Sequence, residues 1–122
     1  MLNIEGALRS YLDKALDAPA HVAVPKNPPD AFCVVERTGG GSERTAISEN
    51  VTVVVDYYGA TRAEAYELAA AGDAAVLSAP GRVAGIASAK ANAACVHLPD
   101  TETGRERYES TYNLVTFDYS TR

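Results

Sequence analysis

Apolar residues Ile4, Leu8, Tyr11, Leu12, Ala15 and Leu16 recur at helical spacing, with Glu5, Arg9, Asp13 and Lys14 between them. That period predicts an amphipathic helix from about residue 3 to about residue 16, closed by Pro19. The period then changes to two. His21–Val24 predicts a short strand, and Pro25, Pro28 and Pro29 forbid regular structure after it. Ala31–Thr38 predicts the next strand. Ile47–Tyr58 is the strongest, with Val51, Val53, Val55 and Tyr57 on one face and Thr52, Val54, Asp56 and Tyr58 on the other. Gly39-Gly40-Gly41-Ser42 lies between these two runs and predicts a flexible hairpin connection.

After Gly59, Thr61-Arg62-Ala63-Glu64 has the form of a capping box, and Ala65, Leu68, Ala69, Gly72 and Val76 make one helical face. Pro80-Gly81 ends that helix. Val83–Ala94 is rich in Ala and Ser and is read as a strand, because its apolar positions lack helical spacing. A polar turn follows, and a long last strand alternates Tyr108, Ser110, Tyr112 and Leu114, then shifts phase to Val115, Phe117 and Tyr119. A phase shift implies a bulge or a change of surroundings. The order α-β-β-β-α-β-β predicts an α+β fold: two helices on one side of a mostly antiparallel sheet, ending in a long C-terminal β-hairpin. No repeat or linker divides residues 1–122, so one domain is expected.

The chain has 122 residues and is 47% apolar, which suits one globular core. Much of that content is Ala and there is no Trp, so the core is thin. A thin core gains from burial against other copies of the chain. The formal net charge is −5 without a Lys/Arg cluster, which disfavours binding along a phosphate backbone. No apolar run is long enough to suggest a membrane span or a signal peptide. Cys33 and Cys95 are too few for a disulfide framework and read as small core residues in a reducing compartment.

Candidate chemistry is sparse. The glycine run lacks the Lys and the following helix that a phosphate loop needs. Cys95 and His97 would share a strand face, but a nucleophile also needs an oriented base and a shaped pocket. The two Cys and two His do not match paired zinc-ligand spacing. Asp100, Glu102, Glu106 and Glu109 surround Arg105 and Arg107 near the last turn. They read either as a solvated tip or as an edge that docks on a neighbouring subunit. Catalytic, metal and cofactor sites are therefore not expected, and the chain is read as non-enzymatic.

The sequence Pro99-Asp100-Thr101-Glu102-Thr103-Gly104-Arg105-Glu106-Arg107-Tyr108, with Thr111 beyond, resembles the "PDxxTGxxRY…T" ending of phage tail terminator (minor tail) proteins of long-tailed bacteriophages and prophages. The order of features before it is similar too: an N-terminal helix, a Pro-rich segment before Phe32-Cys33-Val34-Val35, Arg37 with Gly39-Gly40, and the Thr61 helix start. The chain departs from that pattern at Gly41-Ser42-Glu43. The resemblance implies a homohexameric ring that caps the tail tube, stops its polymerisation and presents a head-joining surface. The implied partners are other copies of the chain, the tail tube protein and a head-side connector protein. DNA would pass through the ring without specific binding, and no membrane is involved. It also implies assembly in the host cytoplasm and a final place at the head-proximal end of the virion tail. Arg37, Gly39, Gly40, Asp100, Thr103, Gly104, Arg107 and Tyr108 are the implied ring or tube contacts. The alternatives are another phage part, such as a head-completion, connector or tail-tube protein, and a small Cys/His enzyme.

Overall fold

The computed structural model describes residues 2–45, 47–92 and 95–117. Helix α1 (Ile4–Ala15) begins where the Asn3 side chain accepts a hydrogen bond from the Gly6 amide, at 3.2 Å. Glu5 in its first turn and Lys14 in its last turn complement the helix dipole. Strand β1 is only Ala20–His21, and it pairs in parallel with β2 (Phe32–Arg44). Strand β3 (Ser48–Gly59) and helix α2 (Arg62–Leu77) follow. Then come β4 (Ile86–Ala91), the two-residue β5 (Val96–His97) and β6 (Glu106–Phe117). The sheet order is β1-β2-β3-β6-β4, with β5 paired to β6; every pairing except β1–β2 is antiparallel. The fold is α+β in the expected order, with short β5 as an addition.

Both helices cover one face of this sheet. Ile4, Leu8 and Leu12 of α1 and Ala65, Ala69 and Val76 of α2 are buried with Val35, Val53, Val55, Tyr57, Tyr112 and Leu114. Each large side chain buried this way contributes about 1.5–3 kcal/mol. Helix α2 approaches closely because its sheet-facing residues are small. A Cβ on Gly72 would lie 2.1 Å from the Tyr57 ring, and one on Gly59 would lie 2.5 Å from the Ala65 backbone nitrogen. The Tyr57 and Tyr112 hydroxyls are 2.7 Å apart, and Tyr112 donates to the Asp73 carboxylate. The polar ends of two buried rings are thus satisfied inside the core. The Thr61 hydroxyl accepts from the Glu64 amide at 3.2 Å, so the expected helix cap is present.

Several local expectations are corrected. The glycines do not form the β2–β3 turn. They lie inside β2, where register shifts separate Arg37 from Gly39 and Gly40 from Arg44. Glycine tolerates such bulges without the cost of a turn. The strands instead close at Thr45 and Ser48: the Thr45 amide donates to the Ser48 carbonyl at 2.8 Å, and the Thr45 hydroxyl accepts from the Ser48 amide at 2.9 Å. The expected phase shift in the last strand is absent too. Burial alternates through Thr116, and β6 pairs with β3 without a break from Glu106 to Phe117. Val115 and Phe117 simply occupy the other face. The bulge lies in β4, between Ile86 and Ser88. The expected strands at His21–Val24 and Val83–Ala94 shrink to Ala20–His21 and Ile86–Ala91. Tyr119 and Ala94, also expected in strands, lie outside the described residues.

Candidate functional site

The sheet face opposite the helices carries the second feature of the fold. Phe32, Val34 and Tyr58 form a small buried cluster of their own there. Register places Phe32 beside Tyr58 and Tyr58 beside Arg107, across β2, β3 and β6. The Phe32 and Tyr58 rings stack at 4.3 Å, nearly parallel at 5°. Arg105 lies over Phe32 and Arg107 over Tyr58, each guanidinium 5.8 Å from the ring centre. Such cation–π contacts contribute about 0.5–1 kcal/mol each at exposed sites.

The two arginines fasten the tip between β5 and β6 to the body. Arg105 donates to the carbonyls of Pro29 at 3.1 Å and Pro28 at 3.4 Å. Arg107 donates to the Leu98 carbonyl at 2.8 Å and the Tyr58 hydroxyl at 3.4 Å. The Pro-rich segment thus supplies acceptors that no proline amide competes for. Asp100, Thr103 and Gly104 shape the turn. The Asp100 carboxylate accepts from the Glu102 amide at 3.0 Å, and the Asp100 carbonyl accepts from the Gly104 amide at 2.8 Å. The Thr103 hydroxyl accepts from the Arg105 amide at 3.4 Å. Gly104 has φ +74°, a left-handed conformation that other residues adopt only with strain. Desolvation opposes it, but the Glu102 amide and the Thr103 hydroxyl and amide hold the Asp100 carboxyl below its ordinary value. Residues 101–104 are exposed at the apex. Replacing Arg105 by Ala should release the tip: we expect faster amide exchange at Thr103 and Gly104 with about 1 kcal/mol or less lost globally. Unchanged exchange there would contradict this account of the tip.

The eight residues singled out from the sequence do not form one patch. Asp100, Thr103, Gly104 and Arg107 build the tip. Tyr108 is buried on the helix side, where its hydroxyl accepts from Arg62 at 3.1 Å and its ring meets Tyr66 and His97. Arg37 pairs with Val53, and Gly39 and Gly40 lie farther along β2 against Thr52 and Val51. Five strand positions separate Val53 from Tyr58, roughly 17 Å. Arg37 is itself engaged: its guanidinium meets the Glu49 carboxylate at 2.7 Å, and its amide donates to Glu5 at 2.8 Å. The sequence placed Arg105 in the charged tip but gave no role to Phe32 and Tyr58. The available signal was parity, since Tyr58 falls on the strand face opposite Val51, Val53, Val55 and Tyr57.

Beside the aromatic cluster, Asp56 and Glu109 sit directly across from each other on β3 and β6, and Glu36 lies near them. Burial, a hydrogen bond with Glu109, and the charges of Glu109 and Glu36 push the Asp56 carboxyl up to about 7, against the pull of Arg107. With Val22, Val24, Val34, Tyr58, Asp100 and Glu102, Asp56 and Glu36 line an open cleft between residues 22–24 and the tip.

Cys95 and His97 make no activated pair. His97 instead meets Glu106 at 2.7 Å. Burial, then the charge of Asp73, raises the Cys95 thiol, and burial pushes the Cys33 thiol up to about 12. Both changes disfavour the thiolate that nucleophilic chemistry uses. Among the described residues no group of three or more His, Cys, Asp or Glu is placed to hold a metal ion, and no helix is long and apolar enough to cross a membrane.

No family model matches the chain, and no curated protein matches it. Among solved structures, the chain shares its fold with a chain of the structure titled "Virion of native gene transfer agent (GTA) particle". The TM-score is 0.65 at 16% identity, covering 97% of this chain and 100% of the other.

Proposed function

We propose that this protein is a non-enzymatic virion component of the tail-terminator type. In this reading, copies of the chain close into a six-membered ring on the end of a tail tube. The ring stops tube growth and offers its other side to a head-side connector protein. Assembly takes place in the host cytoplasm, and the protein ends at the head-proximal end of the tail. The observation that carries the reading is the prebuilt tip. Within the PDxxTGxxRY segment, Asp100, Thr103, Arg105 and Arg107 direct hydrogen bonds into the turn and its anchors, which holds an exposed apex in place. The fold shared along nearly the whole chain with a virion chain supports the same reading.

A closed ring requires two different, complementary patches on each copy. With the tip at one end of the sheet and the Arg37–Gly40 region about 17 Å away, each copy has separate surfaces for its ring and tube contacts. The net charge of −5 suits a lumen that DNA crosses without adhering. The test is polymerisation of the cognate tube protein with and without substoichiometric amounts of this protein, with tube lengths read by electron microscopy. We expect shorter tubes, each bearing a ring at one end. Tubes of unchanged length with bare ends would refute the terminator reading. Incorporation along the whole tube would favour a tube protein instead.

A further inference from the structure

We propose that copies of this chain join edge to edge, with β4 of one copy adding antiparallel to the outer half of β2 of the next. The inference deepens the ring reading above and rests on it for the partner being a second copy.

Among the described residues, strand β4 closes one side of the sheet and pairs with β6 alone. The Asn92 amide donates to the Thr111 carbonyl at 2.9 Å. Antiparallel pairing alternates, so the backbone groups of Lys90 and Ser88 also face β6. The backbone groups of Ala89 and Ala91 therefore face away from the sheet. Both outward positions carry alanine, so no bulky side chain stands in front of the edge. Natural edge strands are usually blunted by charge, proline or a covering element. Among the six residues of β4 only Lys90 is charged.

Among the described residues, the opposite side of the sheet is protected along part of its length. Strand β1 covers β2 at Cys33 and Val34, and Glu5 of α1 accepts from the Arg37 amide at 2.8 Å. Beyond Arg37, β2 continues to Arg44 with β3 as its paired neighbour. Gly39 begins this run beside the register shift, and neither its φ nor its surroundings inside the chain demand glycine. Its φ is not positive, and a Cβ there would meet nothing within 4 Å. A glycine in a strand weakens it, and close approach of another backbone is one reason to keep it.

Direction and charge agree with this pairing. Strands β2 and β3, β3 and β6, and β6 and β4 are each antiparallel, so β2 and β4 run in opposite directions. Copies repeated side by side in one orientation therefore meet antiparallel, and the contact is head-to-tail as a closing ring requires. Main-chain hydrogen bonds supply the affinity in such strand addition. Lys90 lies opposite Asn113 and Glu36 opposite Val54, so both occupy the helix-free face. Setting Lys90 across from Gly39, with Ala89 meeting the outward-facing Gly40, makes Glu36 its diagonal neighbour of opposite charge, because the bulge after Arg37 places Gly39 and Glu36 opposite Thr52 and Val54, two positions apart on β3.

The experiment measures solution mass of the full chain by light scattering up to millimolar concentration, together with amide exchange by NMR. We expect a closed oligomer in which the amides of Ala89 and Ala91 become protected as concentration rises. Ala89→Pro removes one outward amide and no β6 hydrogen bond; it should keep the monomer's circular dichroism and weaken association at least tenfold. Lys90→Glu should weaken association, and Lys90→Glu with Glu36→Lys should restore it, a rescue that a misfolded variant could not give. An oligomer whose Ala89 and Ala91 amides stay exposed, or a charge swap without rescue, would overturn the edge pairing and leave the ring reading standing. A monomer at every concentration would also overturn it as a self-contact, and the tube-capping assay would then judge the ring reading by itself.

Discussion

Replacing Gly72 with alanine should cost about 3 kcal/mol of stability, at the upper end of what overpacking a filled core costs. The added Cβ would sit 2.1 Å from Cε1 of Tyr57 and 2.3 Å from both its Cζ and its hydroxyl oxygen. The Tyr57 ring has nowhere to go. It is fully buried, and its hydroxyl is 2.7 Å from that of Tyr112, which in turn donates to Asp73 one residue along the helix. Relief therefore requires α2 to lift from the sheet or the three-member hydrogen-bond chain to break. A loss of this size lowers the melting temperature by roughly 10–15 °C for a domain of this length. Chemical denaturation of Gly72→Ala would measure it. In the background of Tyr57→Val the same substitution should cost far less, a coupling of about 1–3 kcal/mol. A Gly72→Ala protein within 0.5 kcal/mol of the parent, roughly the scatter of a neutral surface change, would show that α2 does not pack on Tyr57 at this distance.

The same contact shows what the sequence reveals and what it conceals. Helical spacing identified Gly72 as facing the sheet, because period is a local property of the chain. It could not say that a tyrosine ring fills the space where a Cβ would be, because that depends on the crossing of two distant elements. Strand β3 was legible for a similar reason. Its alternation from Val51 to Tyr57 is uninterrupted, and the structure buries those four residues. The glycines of β2 misled because glycine suits both turns and bulges, and the choice was settled by Thr45, whose side chain caps the real turn. The apparent phase shift at Val115 misled because apolar residues on an open sheet face resemble a change of register.

The tip was legible as a motif but not as a mechanism. Asp100, Thr103 and Gly104 were visible in order, and turn chemistry assigns each a part. Their anchoring depends on Arg105 reaching the carbonyls of Pro28 and Pro29, more than 70 positions earlier. Nothing local announces that pairing. The spacing between Arg37 and the tip residues was equally hidden, since two segments that the resemblance names as contacts lie about five strand positions apart on the sheet. That separation gives the helix-free face two distinct ends, one built by a fastened loop and one by an open strand edge.

Between those ends lies the pair whose charge should most affect stability with pH. Replacing Asp56 with Asn should stabilise the protein above pH 7 and change it little near pH 4. Burial first, and then the Glu109 hydrogen bond and the charges of Glu109 and Glu36, raise the folded Asp56 carboxyl from 3.8 to about 7. Between those values the folded protein holds a proton that the unfolded chain has released. Stability falls with rising pH wherever the folded state binds more protons. The contribution of Asp56 is thus fully present below its unfolded value and lost as pH rises through its folded value. The unscreened shift corresponds to about 4 kcal/mol. Asp56 is only half-buried, so solvent screening reduces this to about 1–2 kcal/mol. An asparagine keeps the shape, carries no charge at any pH, and can donate to Glu109. Urea midpoints for the parent and Asp56→Asn, taken from pH 4 to pH 8.5, should therefore diverge as pH rises. Glu109→Gln should reduce the same divergence by removing both the hydrogen-bond partner and its charge. Parallel curves across that range would mean that Asp56 ionises normally and that Arg107, lying over Tyr58 beside it, neutralises the carboxylates fully.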